Sequence, residues 1–197
     1  MIVAFQGQAG SGKDTAAEHL SKEYGFKRIS FADPLRSVCK TVFGLTNDEL
    51  FDRQLKEREL DRWPYISPRQ ILQMVGTEMF RTHFPGVWIN AFMKIARQHS
   101  NVVVADLRFP DEAEAVKNLG GVIIRVRALN SPYQTRFASH LSETGAESLP
   151  YDSEITNNFY ADNGKHHLFD ALDLIMDKLH IPRCPHCTSK WLPDAIR

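Results

Sequence analysis

The chain has 197 residues with 24 basic and 24 acidic side chains, so its formal net charge is zero and any anion-binding site must be local rather than a broad cationic face for nucleic acid or lipid. Three cysteines (Cys39, Cys184, Cys187) are too few for a disulfide framework, and no apolar run approaches the ~20 residues of a membrane span. With no basic n-region ahead of the first apolar stretch, the expectation is a cytoplasmic protein without a signal peptide, long enough to bury about 70% of its unfolded surface in one domain with insertions.

Ile2-Val3-Ala4-Phe5 reads as a buried strand, and Thr15 to Tyr24 reads as a helix stopped by Gly25. Between them lies Gly7-Gln8-Ala9-Gly10-Ser11-Gly12-Lys13-Asp14-Thr15. A glycine-rich turn between a strand and a helix N-terminus is a phosphate cradle: glycines permit positive φ, successive N–H groups face an anion, and the helix end adds partial positive charge. Lys13 is placed to reach the outer phosphates. The residue after Lys13 is Asp14, so the hydroxyl that would face Mg²⁺ arrives one place later, at Thr15.

Lys27 to Phe31 reads as a second strand, followed by a helix through Val38, Val42 and Phe43 with Asp33 as N-cap and Pro34 at N1. Capping is one reading of Asp33 and a ligand contact the other, whereas Arg36 faces the edge where α/β sheets bind ligands, so it is a candidate anion contact. Thr46 to Ile66 is charged, with Thr46 and Glu49 in capping-box spacing. Its cations, Arg53, Lys56, Arg58 and Arg62, make either a solvated face or a flap over an acidic substrate.

Ser67-Pro68-Arg69-Gln70 opens the clearest helix, with Ile71, Met74, Val75 and Met79 as the expected apolar stripe and Arg69, Gln73 and Thr77 on the polar side. Gly76 within it implies close approach, either by a ligand or by a packed neighbour. Trp88, at the start of the next helix, is either core or a stacking platform. Asn101 to Asp106 is a buried strand ending in an acid, the pattern of a Walker B element, with Asp106 as second partner for Mg²⁺ and Arg108 close behind.

Val122 to Arg127 makes another strand, and Ile155-Thr156-Asn157 a last short one before a helix marked by Leu168, Leu172, Ile175, Met176 and Leu179. The polar sequence between them, 128–152, occupies the place of a lid, with Arg127, Arg136 and His140 as candidate contacts. Alternation of strands and helices implies an α/β fold with a mainly parallel sheet of about five strands. The tail, 181–197, carries Cys184-Pro185-His186-Cys187, half of a zinc site that His180, His186 or a second copy would have to complete; an inert tail or a redox pair are the other readings.

The run Ser11-Gly12-Lys13-Asp14-Thr15, then Phe31-Ala32-Asp33-Pro34-Leu35-Arg36, Arg69 to Glu78, Trp88, Asp106-Leu107-Arg108-Phe109-Pro110-Asp111-Glu112, His140-Leu141-Ser142-Glu143 and Ile155-Thr156-Asn157 resemble, in order and spacing, the deoxynucleoside monophosphate kinases of tailed bacteriophages. The resemblance covers 1–180 and implies a three-layer P-loop NTPase fold, with 46–100 as an acceptor-binding helical insertion. It also implies transfer of the γ-phosphoryl of ATP to a dNMP with Mg²⁺, in the host cytoplasm if the protein is phage-encoded. Gly10, Ser11, Gly12, Lys13, Asp14 and Thr15 would bind ATP. Asp33, Arg36, Arg53, Arg69, Gln73, Gly76, Thr77, Trp88, Asp106, Arg108 and Glu112 would surround the acceptor, with Lys13, Arg69, Asp106 and Arg108 nearest the transfer. Neither nucleic acid nor membrane is an expected partner, and a homodimer stays open. Two other readings remain: a P-loop kinase for dephospho-coenzyme A or phosphomevalonate, and a non-catalytic ATP-gated binding protein.

Overall fold

The computed structural model describes residues 1–129, 149–158 and 164–185, without the side chains of 164–166. Arg136, His140, His186, Cys187 and most of the lid-like segment lie outside these residues. The chain divides into two compact units, Met1–Ile29 with Gln98–Arg197, and Ser30–Arg97.

The first unit is built on five parallel strands, β1 (Ile2–Gln6), β2 (Lys27–Arg28), β3 (Val102–Val104), β4 (Val122–Leu129) and β5 (Ser153–Asn158), in the order β2-β3-β1-β4-β5. All five residues of β1 are buried, as the continuous apolar run requires of a central strand in a parallel sheet. Val3 pairs with Val103 on one side and Val122 on the other. Val3, Phe5, Ile124 and Val126 form one core with Ala16, Ala17 and Leu20 of α1 (Lys13–Tyr24) and Leu168, Leu172 and Met176 of α8 (Gly164–Lys178). In α7 (Pro110–Asn118), Ala113 and Val116 are buried. Gly25 ends α1 with φ at 71° and its N–H on Leu20 O, as its C-terminal position anticipates.

Two strands are shorter than their sequences suggest. Only Lys27 and Arg28 of the expected Lys27–Phe31 strand pair with β3, because Ser30 turns out of the ladder and gives its N–H to the Asp33 carboxylate at 2.9 Å. Their exposed charges suit an edge strand. β3 stops at Val104, leaving Ala105 and Asp106 beyond the ladder.

The second unit contains α2 (Asp33–Phe43), α3 (Asn47–Phe51), α4 (Arg53–Glu57), α5 (Pro68–Gln73), a π-helical segment (Met74–Arg81) and α6 (Val87–Ala96). It begins at Ser30 and takes in α2, earlier than the 46–100 expected for the helical insertion. Cys39, Leu45, Leu50, Ile71 and Val75 form its core together with Leu35, Phe43 and Phe80. Both anticipated capping boxes are present, Thr46 with Glu49 and Ser67 with Gln70. Asp33 is not the N-cap: Ala32 holds that place, and Asp33 is the first helical residue.

The expected apolar stripe from Ile71 to Met79 also needs correction. From Met74 onward the helix is π, so residues five apart share a face. Val75 and Phe80 accordingly turn inward, while Met74 and Met79 stand 43% and 50% exposed. Among the described residues no helix is long and apolar enough to cross a membrane.

Candidate active site

The loop after β1 has the conformation its glycines permit and other residues would not. Gly7, Gly10 and Gly12 have φ of 139°, 75° and 106°. A Cβ on Gly7 would stand 2.2 Å from Val126 O, and one on Gly12 would stand 2.5 Å from Asn157 Nδ2. Ser11 is buried, its carbonyl accepts from Asn157 Nδ2 at 2.9 Å, and its Oγ has no hydrogen-bond partner among the described residues. Gly12 caps α1 and its carbonyl accepts the first helical bond, from Ala16 N at 2.9 Å.

Lys13 Nζ donates to the carbonyls of Gly7 at 2.8 Å and Gln8 at 2.6 Å, so the ammonium arches across the loop's own backbone. Asp14 faces outward and pairs with Arg28 at 3.0 Å, an exposed contact of small energetic weight. Thr15 follows in the first turn of α1, half-buried.

Asp106 lies two residues past the point where Val104 pairs with Ala4, beyond the end of the strand beside β1 and at the same carboxyl edge as the loop. Behind it, the buried carboxylate of Glu112 accepts the N–H groups of Arg108 at 3.0 Å and Phe109 at 3.2 Å through one oxygen, Oε2. Glu112 therefore holds the start of α7 and the backbone of Arg108. Arg127 is exposed on β4, opposite Thr156 of β5.

In the second unit, Arg36 Nη1 reaches Asp33 Oδ1 at 2.7 Å and Ser30 Oγ at 3.0 Å, and its guanidinium lies 5.0 Å from the ring centroid of Phe51. Its Nε is buried without a hydrogen-bond partner among the described residues. Arg69 Nε pairs with Glu57 Oε1. Each of these two candidate phosphate-binding arginines thus stands against a carboxylate, and a dianionic phosphate would compete with that carboxylate for the guanidinium. Arg53 is the exposed first residue of α4. Gln73 is half-buried at the end of α5, and Thr77 is exposed on the π segment.

Gly76 and Trp88 belong to packing. A Cβ on Gly76 would meet Leu35 Cδ2 at 2.6 Å, which is the tight-neighbour reading of this glycine. Trp88 is only 7% exposed, with its indole N–H on Gly76 O at 2.9 Å and its ring 5.4 Å from that of Phe80. Of the two readings of this residue the packing is that of core, with the indole's area taken up by neighbours within its own unit.

Outside the site, burial pushes the Cys39 thiol up to about 11, which leaves it unreactive in the core. Cys184 gives its backbone N–H to Glu23 O at 2.8 Å. Among the described residues no three His, Cys, Asp or Glu side chains are grouped to hold a metal, so they give zinc no support, while Cys187 lies outside them. Sequence reasoning quoted Asn157 as part of a motif but left it out of the candidate site. Its signal was present all the same, as a polar amide where a buried strand would otherwise place an apolar residue.

No family profile matches the chain. A protein of Acanthamoeba polyphaga mimivirus, named a deoxynucleotide monophosphate kinase, is 35% identical over 174 residues, covering 80% of this chain and 89% of that one. The deoxynucleoside-5'-monophosphate kinase of Escherichia phage T5 is 26% identical, covering 91% of this chain and 98% of that one. Among solved structures, a Thermus thermophilus protein matches with a TM-score of 0.50 at 14% identity over 91% of this chain and 97% of its own. A shikimate kinase from Acinetobacter baumannii matches with a TM-score of 0.48 at 14% identity over 90% and 93%. The five-stranded parallel sheet is the fold shared with the Thermus thermophilus protein. With identity and coverage of this extent to the mimivirus protein, and the cradle, Lys13 and Asp106 set at one edge of that sheet, the chain belongs to the deoxynucleotide monophosphate kinase family.

Proposed function

We propose that this protein transfers the γ-phosphoryl group of ATP to a deoxynucleoside 5'-monophosphate, yielding dNDP and ADP. The observation that carries the reading is the loop of residues 7–13, where Gly7 and Gly12 leave no room for a Cβ and the lysine already bridges the loop. The curated relatives named for this activity support the acceptor class.

The donor's phosphates fit this loop on chemical grounds. Backbone N–H groups at the start of α1 complement an anion, and Ser11 Oγ is a buried hydroxyl with bonding capacity to spare. Lys13 would exchange two neutral carbonyls for phosphate oxygens, a stronger, charge-assisted contact. Thr15 and Asp106 offer the hard oxygen donors that Mg²⁺ prefers, and two protein ligands suffice because the ion keeps water and phosphate in its shell. Bound there, Mg²⁺ would supply charge neutralisation on the transferred group.

On the acceptor side, Arg36, Arg69 and Arg53 would grip the monophosphate, with Asp33 holding the Arg36 guanidinium in place. Arg108 would stabilise charge on the moving group, its backbone fixed by Glu112. Gln73 and Thr77 would meet the sugar or base. No catalytic base is required, because an acceptor phosphate oxygen is already anionic near neutral pH. The work is alignment and electrostatics. The lid expectation for Arg127, Arg136 and His140 stays part of this proposal, as does the zinc expectation for Cys184 and Cys187.

The test is an ADP-release assay coupled to a panel of dNMPs, NMPs, dephospho-coenzyme A and phosphomevalonate. The reading expects turnover with at least one dNMP well above that with the last two. Turnover confined to either of those would reassign the acceptor, and ATP binding without any turnover would leave a binding protein.

A further inference from the structure

Asn157 is unexplained by the transfer chemistry, yet it is 4% exposed and aims its amide at the phosphate loop. It occupies the penultimate position of β5, opposite Ala128 of β4, and Nδ2 donates to Ser11 O at 2.9 Å across 146 residues of sequence. The same nitrogen would be 2.5 Å from a Cβ on Gly12. An amide therefore packs against Gly12 on one side of the loop.

The peptide joining Ser11 to Gly12 is trans, as the sole cis bond among the described residues is Trp63-Pro64. In a trans peptide the C=O and the following N–H point in opposite directions. A donor that captures the Ser11 carbonyl therefore decides where the Gly12 N–H goes: away from β5, toward the other side of the loop. The φ of 106° at Gly12 is the conformation that keeps this peptide orientation while α1 begins at Lys13. Without the amide, the peptide plane could flip and present its carbonyl where a polyphosphate would bring negative charge.

We infer that Asn157 is a positioning residue for nucleotide phosphates: its amide locks the Ser11-Gly12 peptide with the N–H facing the anion and the carbonyl withdrawn. Gly12 and Asn157 are matched, since the side chain that orients the peptide also excludes a Cβ from it. The inference rests on the proposed nucleotide reading only in that the anion is a polyphosphate. It assigns to the last strand a part in recognition that the acceptor and donor residues do not cover.

The experiment measures binding of tripolyphosphate, a non-hydrolysable ATP analogue and adenosine to the full chain and to Asn157→Asp and Asn157→Ala. Asp is near-isosteric but turns the donor into an acceptor facing a carbonyl. The expected result is a loss of about tenfold or more for tripolyphosphate and for the ATP analogue, with adenosine binding unchanged and the aspartate variant worse than the alanine. Equal tripolyphosphate affinity in all three proteins overturns the inference. So does a parallel loss for adenosine, which would mark a role in folding alone.

If the unaltered protein binds adenosine as well as the ATP analogue, the nucleotide-phosphate reading itself fails. Should either variant not fold, NMR of the unaltered chain decides. The Gly12 amide resonance is expected to move on addition of tripolyphosphate while the Asn157 side-chain amide stays protected from exchange. An unmoved Gly12 resonance or a rapidly exchanging Asn157 amide overturns the inference.

Discussion

The indole N–H of Trp88 donates to the carbonyl of Gly76 at 2.9 Å, tying α6 to the π-helical segment at the residue that also presses against Leu35. Gly76→Ala should destabilise the protein by about 1–3 kcal/mol, because the new methyl group must displace the end of the Leu35 side chain. Shortening that side chain in the same protein, as Gly76→Ala with Leu35→Val, should recover part of the loss. Urea unfolding of the two single variants and the double gives the coupling, and strict additivity would mean that the contact with Leu35 is not the cause.

Lys13→Ala should lower turnover by about two orders of magnitude or more, since a preorganised cation beside transferring phosphates cannot be replaced by water. The melting temperature should stay within a few degrees, because the lysine's present bonds are to loop carbonyls that water can satisfy. Lys13→Arg should rescue poorly, as a planar fork does not substitute for a compact ammonium inside a tight loop. Near-normal turnover in Lys13→Ala would remove it from the site.

Arg62 clasps both oxygens of Glu49 at 2.8 Å, and this contact, reinforced by the N–H and hydroxyl of Thr46 against the opposing effect of burial, holds the carboxyl down at about 2. In the unfolded chain the value is about 4.3. The folded state therefore binds the proton less readily, so this stabilisation is complete above about pH 4.3 and is lost as pH falls toward 2. Glu49→Gln should flatten the decline in melting temperature over that window. A decline as steep as that of the unaltered protein would locate the acid sensitivity elsewhere.

Glu112 carries both N–H groups of the turn before α7 on a single oxygen. Glu112→Gln keeps an acceptor there and should be tolerated, whereas Glu112→Ala should cost about 1–2 kcal/mol for the lost cap. If the carboxylate acts by fixing the Arg108 backbone, turnover should fall in the alanine variant and largely survive in the glutamine variant. Equal loss in both would instead favour direct contact of the charge with substrate.

The phosphate loop and both capping boxes could be read from sequence because each depends on residues within a few positions of one another, and the parallel sheet because strands and helices alternate along the chain. Ser67, Pro68 and Gln70 announce a helix start whatever the rest of the chain does. The π segment could not be read so, because the choice between four- and five-residue turns is made by what packs on either side, and Met74 and Met79 fit an apolar stripe equally well on paper. Asp33 had the right chemistry for a cap, but its carboxylate is taken by Ser30 N–H and by Arg36. For Glu112 and Trp88 the sequence identifies a carboxylate and an aromatic ring but not the neighbours they meet, the N–H groups of Arg108 and Phe109 and the carbonyl of Gly76. Asn157 is the converse, a contact across 146 residues that no local pattern encodes.

The sheet order has a consequence for how the protein is made. β1 leaves the ribosome well before its ladder partners, which begin at Val102 and Val122. Until about a hundred further residues have been synthesised, a strand with four successive apolar residues, Ile2 to Phe5, has nothing to pair with. Such non-local pairing slows folding and leaves a sticky segment for chaperones to shield. Nascent chains arrested before β3 emerges should thus be protease-sensitive around β1, and those arrested after β4 emerges should be resistant there.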